Sequence, residues 1–114
     1  DRIQLYTMDE VEGARTLVVA YGATARAARH AVLMARARRH KVGLIKLQTV
    51  WPFPVDMLAQ VAHGVRAVVV PEMNLGQVAL EVERVVGRSR VRRVNRADGQ
   101  MITPNEILAA IEEH

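Results

Sequence analysis

Short apolar runs alternate with stripes of helical period along most of this chain. Leu17-Val18-Val19-Ala20-Tyr21 is a continuous apolar run closed by Gly22, the pattern of a strand buried on both faces. From Thr24 to His40, Ala25, Ala28, Ala31, Val32 and Ala35 recur at helical spacing, with Arg26, Arg29, His30 and Arg36 mostly on other faces. Val42 to Gln48 reads as a second strand. Pro54 to His63 follows as a helix with Val55, Leu58 and Val61 or Ala62 inward and Gly64 ending it, and Ala67-Val68-Val69-Val70 is a third strand. The clearest helix runs from about Asn74 to Val86, its stripe formed by Leu75, Val78, Ala79, Val82, Val85 and Val86. Val91 to Asn95 is a fourth strand, Asp98-Gly99 a turn, and Thr103-Pro104-Asn105-Glu106 a capping box with proline at the first helical position, opening a last helix through Ile107, Leu108 and Ile111. Ile3-Gln4-Leu5-Tyr6 is a candidate edge strand.

The resulting β-α-β-α-β-α-β-α order predicts an α/β fold: a three-layer α/β/α sandwich on a mostly parallel sheet of four to five strands with right-handed crossovers. At 114 residues, half of them apolar, residues 1–114 form one domain with enough core to need no staple. No apolar run reaches membrane-spanning length, and the first residue is Asp1, so the chain reads as a segment of a longer cytoplasmic polypeptide. Cysteine is absent, which excludes disulfides, thiolate-held zinc, iron–sulfur ligation and a cysteine nucleophile within these residues. The +4 formal charge rests on arginine, with Lys41 and Lys46 the only lysines. Basic residues gather at Arg36, Arg38, Arg39, His40 and Lys41 and again at Arg88, Arg90, Arg92, Arg93 and Arg96, but neither group is interleaved with aromatics for base stacking, so nucleic acid is not expected as a partner.

In an open parallel sheet, ligands sit beyond the carboxyl ends of the strands. Gly22-Ala23-Thr24 leads from strand to helix there, and its amides with a Thr24 N-cap are a candidate anion site, although no glycine-rich phosphate motif is present. Trp51-Pro52-Phe53-Pro54 gathers the only Trp and the only Phe between two prolines, so Trp51 and Phe53 are candidate anchors for a neighbouring domain or subunit, or else core filler. Pro71-Glu72-Met73-Asn74-Leu75-Gly76-Gln77 sets a carboxylate and two amides at a helix start; Asn74 is a candidate N-cap, and Glu72, Asn74 and Gln77 are candidate contacts across an interface. His30, His40, His63 and His114 are scattered without ligand spacing, so neither a metal site nor a catalytic set is expected.

Taken in order, Val19-Ala20-Tyr21-Gly22-Ala23-Thr24-Ala25-Arg26, Lys41-Val42-Gly43-Leu44-Ile45, Thr49-Val50-Trp51-Pro52-Phe53-Pro54, Val70 to Gln77 and Ile102-Thr103-Pro104 resemble one family over nearly the whole chain. The likeness is to the transketolase-C-terminal-like core domain II of 2-oxoacid:ferredoxin oxidoreductases, nearest to the α subunit of 2-oxoglutarate-type enzymes. That resemblance implies a parent enzyme that decarboxylates a 2-oxoacid on thiamine diphosphate with magnesium, passes electrons through an iron–sulfur cluster to ferredoxin, and delivers the acyl group to coenzyme A. It implies as partners the N-terminal domains of the same subunit, the β subunit and ferredoxin, with no cofactor held by this domain alone. Asp98-Gly99 matches only the start of a thiamine diphosphate motif, and too little chain follows to complete it.

Three alternatives accompany this expectation. One is the equivalent domain of a transketolase or of a 2-oxoacid dehydrogenase E1 β subunit. Another is a stand-alone phosphate or nucleotide binder using Gly22 to Thr24. The third is a basic surface at Arg88, Arg90, Arg92 and Arg93 facing acidic ferredoxin. Self-association into a homodimer through an uncovered interface is a further expectation.

Overall fold

The computed structural model describes residues 5–73, 76–96 and 101–113. Five strands form one sheet: β1 (Tyr6–Asp9), β2 (Thr16–Tyr21), β3 (Val42–Leu47), β4 (Ala67–Glu72) and β5 (Val91–Asn95). Their spatial order is β1-β3-β2-β4-β5, with β1 antiparallel to β3 and every other pairing parallel. Four helices connect and cover them: α1 (Ala25–Ala37), α2 (Val55–Val61), α3 (Gln77–Val86) and α4 (Pro104–Glu112).

Strand side chains alternate between faces, and this divides the core into two layers. Leu17, Val19, Ile45, Leu47, Val68 and Val70 meet Leu58 of α2 and Val78, Ala79 and Val82 of α3 on one face. Val18, Ala20, Val42, Leu44 and Val69 meet Ala28, Ala31, Val32 and Ala35 of α1 and Ile107, Leu108 and Ile111 of α4 on the other. The sandwich is therefore α2/α3 over the sheet over α1/α4. Each Leu, Ile or Val so buried stabilises by about 1.5–3 kcal/mol relative to exposure. The alanine stripe of α1 lets that helix lie close to the sheet, as its spacing predicted.

Three local features differ from the sequence reading. The edge strand lies at Tyr6–Asp9, with Leu5 outside it and Ile3 and Gln4 beyond the described residues; it joins β3 at the sheet margin and runs antiparallel to it. Val55 is exposed, since α2 is only two turns long and inserts Leu58 and Ala62 instead. The best-patterned helix starts at Gln77, with Gly76 preceding it at φ 84°, so Gly76 is a left-handed cap rather than part of the first turn. Asn74, Leu75, the Asp98-Gly99 turn and His114 lie outside the described residues.

The chain's arginines are largely absorbed by this architecture. In a parallel α/β sheet every helix ends, carbonyls outward, near the amino edge of the strands, and cations suit those ends. Arg90 donates to the carbonyls of Val86, Ala62 and Val65; Arg92 donates to Ala110; Arg36 donates to Val42 while pairing with Asp9 and Glu10. Helix α1 ends in a Schellman arrangement, Arg39 N–H to Arg36 and His40 N–H to Ala35, with Arg39 itself at φ 69°.

Candidate functional site

The strand order reverses between β2 and β4, and a doubly wound sheet opens its crevice at such a point. Here β2 and β4 pair only through Thr16, Leu17 and Val18 with Ala67, Val68 and Val69, whereas β2 pairs with β3 along its whole length. The carboxyl ends of β2 and β4 are thus free of one another as strands. What joins them is Thr24, 3% exposed, whose hydroxyl lies 3.0 Å from the Tyr21 carbonyl and 3.1 Å from the Pro71 carbonyl.

That contact changes the picture of the Gly22-Ala23-Thr24 candidate. Residues Gly22–Thr24 form a single 3-10 turn, and the Thr24 side chain caps no helix amide. Its only hydrogen is shared between two backbone carbonyls, so the hydroxyl has no donor left for an anion. Gly22 and Ala23 are exposed, and their amides are all that remains of the proposed anion cradle.

Glu72 is likewise engaged from within. It is 6% exposed, and its two carboxylate oxygens accept from Val78 N at 2.8 Å and Ala79 N at 3.0 Å. These are second and third residues of α3, so Glu72 reaches across the turn to supply the cap that no neighbouring side chain provides. Each Glu72 oxygen thus accepts one bond from the helix terminus, where a buried carboxylate is stabilised by charge-assisted bonds and the helix dipole, so within this chain its task is that of a cap. Above it, Arg93 forms a two-pronged pair with Glu83 at 2.8 and 2.7 Å. A Cβ on Gly76 would meet Arg93 Nη1 at 2.7 Å, so glycine there serves both the left-handed backbone and the close guanidinium. The Arg93 bond holds the Glu83 carboxyl below the usual carboxylate range. Gln77 is exposed at the start of α3, and Asn74 lies outside the described residues.

The two aromatics of the 48–54 loop part company. Phe53 is 6% exposed and belongs to the α2/α3 core layer, whereas Trp51 is 57% exposed. The loop is pinned before Trp51 by Gln48 N and Thr49 N donating to the Leu5 carbonyl and by Leu5 N donating to Thr49 Oγ1. It is pinned after Trp51 by Phe53 and the buried Pro54. The Trp51–Pro52 peptide bond is cis. Of the two readings open for this loop, Phe53 takes the core position within this chain, and Trp51 stands out on a fixed base.

A feature that residue spacing did not reveal lies along α1. Ala23, Ala27, Leu33, Met101 and Pro104 line a shallow apolar groove of about 460 Å³, with Leu33 and Met101 about half exposed. Leu33 falls off the alanine stripe of α1, which was the only signal available in the sequence.

The basic surface proposed for ferredoxin at Arg88, Arg90, Arg92 and Arg93 is mostly spoken for. Arg90 and Arg92 serve backbone carbonyls and Arg93 serves Glu83, because helix ends and a neighbouring carboxylate reach them first.

Among the described residues the donors do not gather into a site for a diphosphate-bound magnesium ion. Glu72 fills the α3 terminus, and among the described residues no three His, Cys, Asp or Glu side chains converge as a metal site. His40 meets Glu112 at 3.0 Å, a surface pair beside Arg38 rather than a ligand set. Among the described residues no helix is long and apolar enough to cross a membrane.

The pyruvate:ferredoxin oxidoreductase core domain II family matches residues 14–107. The 2-oxoglutarate synthase subunit KorA of Methanothermobacter marburgensis is 41% identical over 95 residues, covering 82% of this chain and 25% of that subunit. The ketoisovalerate oxidoreductase subunit VorB of the same organism is 38% identical over 103 residues, covering 90% of this chain and 29% of that one. The chain thus spans about a quarter of the length of these curated relatives. Among solved structures, the fold superposes on 2-oxoglutarate:ferredoxin oxidoreductase from Magnetococcus marinus, solved with 2-oxoglutarate, coenzyme A and succinyl-CoA bound, at a TM-score of 0.82 over 96% of this chain and 20% of that chain, with 23% identity. It superposes on a split-gene transketolase, an inactive β4 tetramer, at 0.80 over 95% of this chain and 40% of that one, with 22% identity. These two likenesses establish the transketolase-like fold, and the family match over residues 14–107 establishes descent: this chain belongs to the pyruvate:ferredoxin oxidoreductase core domain II family.

Proposed function

We propose that this chain is the core domain II of the α subunit of a 2-oxoacid:ferredoxin oxidoreductase, acting as a scaffold that docks to neighbouring domains rather than as a carrier of reacting groups. The observation that supports this most directly is the contrast at the carboxyl edge of the sheet. The groups that would hold a ligand there, the Thr24 hydroxyl and the Glu72 carboxylate, are consumed by the chain itself, while Trp51 stands exposed on a pinned loop. Exposed aromatic anchors of this kind carry a large share of interface energy.

On this reading the complete enzyme is cytoplasmic, takes a 2-oxoacid and coenzyme A, and reduces ferredoxin through thiamine diphosphate, magnesium and an iron–sulfur cluster held by other domains. Its 2-oxoacid is 2-oxoglutarate, in line with the KorA likeness; the similar identity to VorB makes a branched 2-oxoacid the comparison substrate. The N-terminal domains of the same subunit and the β subunit are the neighbours of Trp51 and Gln77. The transketolase likeness is one of fold alone.

The test is Trp51→Ala in the full-length subunit co-expressed with its β subunit, with Gln77→Ala alongside. Loss of co-purification and of 2-oxoglutarate-dependent ferredoxin reduction, with an unchanged melting temperature, is the expected outcome. Intact assembly and activity in the Trp51 variant would remove the docking role.

A further inference from the structure

At the opposite, amino edge of the sheet the residue preceding each of three adjacent strands is basic: Lys41 before β3, Arg15 before β2 and Arg66 before β4. Their backbones are tied in one row, Arg15 N donating to the Lys41 carbonyl at 2.9 Å and Arg66 N to the Arg15 carbonyl at 2.8 Å. Neighbouring strands lie about 4.8 Å apart, so the row sets three cations across roughly 10 Å. Together with Thr16, Arg39, His40 and Glu112 they line a depression of about 410 Å³.

Most arginines at this edge have an internal task, and of Arg15, Arg39, Lys41 and Arg66, Arg66 alone has a hydrogen-bond partner of that kind among the described residues. Among the described residues no carboxylate pairs with the side chains of Arg15, Arg39 or Lys41, and Arg66 reaches only the Glu113 carbonyl, at 3.3 Å on the surface. The one carboxylate in the depression, Glu112, is already held by Arg38 at 2.8 Å and His40 at 3.0 Å, which keep its pKa below the usual range, His40 first. Four permanent cations therefore face solvent against one compensated acid. Arg39 adds a second observation: the left-handed end of α1 favours glycine, yet an arginine occupies it at φ 69°.

We propose that this depression is a docking site for an acidic segment of a protein partner, whose carboxylates pair with Arg15, Arg39, Lys41 and Arg66. A protein segment fits better than a small phosphate. The carbonyl ends of α1 and α4 and the Glu112 carboxylate stand behind the depression and oppose a compact, highly charged anion seated deep within it. Separate carboxylates spaced along a chain meet the outer tips of the four cations without approaching those carbonyls. The inference is independent of the role of Trp51, which lies at the other edge.

Titration of the chain with a fluorescent oligoglutamate, followed by anisotropy at low and physiological salt, tests it. An oligoglutamine of equal length and inorganic tripolyphosphate serve as comparison ligands. Arg15→Gln, Lys41→Gln and Arg66→Gln combined should weaken oligoglutamate binding by at least about ten-fold, and added salt should weaken it further. The charge-matched set Arg26→Gln, Arg29→Gln and Arg88→Gln, on other surfaces, should leave it within about two-fold. Equal losses in both sets, or equal binding of oligoglutamine, would overturn the site. Tighter binding of tripolyphosphate with the same residue dependence would replace the acidic segment with a phosphate ligand. Circular dichroism of each variant checks folding, and single substitutions replace the triple set if it unfolds.

Discussion

The Thr24 hydroxyl and the Pro71 carbonyl, 3.1 Å apart and buried, join the turn after β2 to the end of β4 at the point where the two strands no longer pair. Proline at 71 has no N–H to extend a ladder there, so a side chain supplies the cross-link instead. Thr24→Val keeps the shape and removes the donor, leaving a buried carbonyl short of a partner. A loss of about 1–3 kcal/mol in chemical denaturation is expected. Thr24→Ser, which retains the hydroxyl, should recover most of it.

Glu72 distinguishes capping from interface by where its loss is felt. Glu72→Ala should destabilise the isolated chain by about 1–3 kcal/mol, because two α3 amides lose a buried acceptor. Glu72→Gln, which keeps one acceptor oxygen, should cost less. If Glu72→Ala instead left stability untouched and only impaired subunit assembly, the cap assignment would fail. Denaturant melts of the isolated chain separate the two.

The Arg93–Glu83 pair predicts an acid-side sensitivity. Because the Arg93 hydrogen bond lowers the Glu83 pKa in the folded state, the pair's stabilisation is fully present above the ordinary carboxylate range and is lost as pH falls through the lowered value. Melting temperatures recorded over roughly pH 6 to 2 should therefore fall less steeply for Glu83→Gln than for the parent chain. Arg93 is 39% exposed, so the difference should be modest and shrink in high salt. Parallel curves for the two proteins would contradict it.

Much of this architecture is legible in the chain. The runs at 17–21 and 67–70 have no polar side of their own, and 42–47 has only Lys46, which specifies strands covered on both faces, and the stripe of α3 specifies its buried side without ambiguity. Thr103 and Glu106 form the reciprocal capping box their spacing required. The bounds of the edge strand β1 are not legible in the same way, because Tyr-Thr-Met-Asp carries no apolar run to mark it.

The site was harder to read for a different reason. Trp51 and Phe53 sit in a loop with no period, so nothing in their spacing tells which aromatic turns inward. The spacing places Glu72 near a helix terminus, but its reach over the turn to Val78 and Ala79 depends on the left-handed Gly76, which sets the helix start later than the apolar stripe suggests. The arginine surplus is similarly opaque in one dimension. Helix carbonyls that Arg90 and Arg92 satisfy come from residues well separated in sequence, and only the fold brings them together.

The outward stance of Trp51 has an optical consequence. It is the chain's only tryptophan, and in the folded chain more than half of it already meets water. Its emission is therefore a poor gauge of unfolding and a sensitive one of association. A shift of that emission to the blue on adding the rest of the enzyme, with protection from iodide quenching, would report a partner covering this loop in real time and without any attached dye.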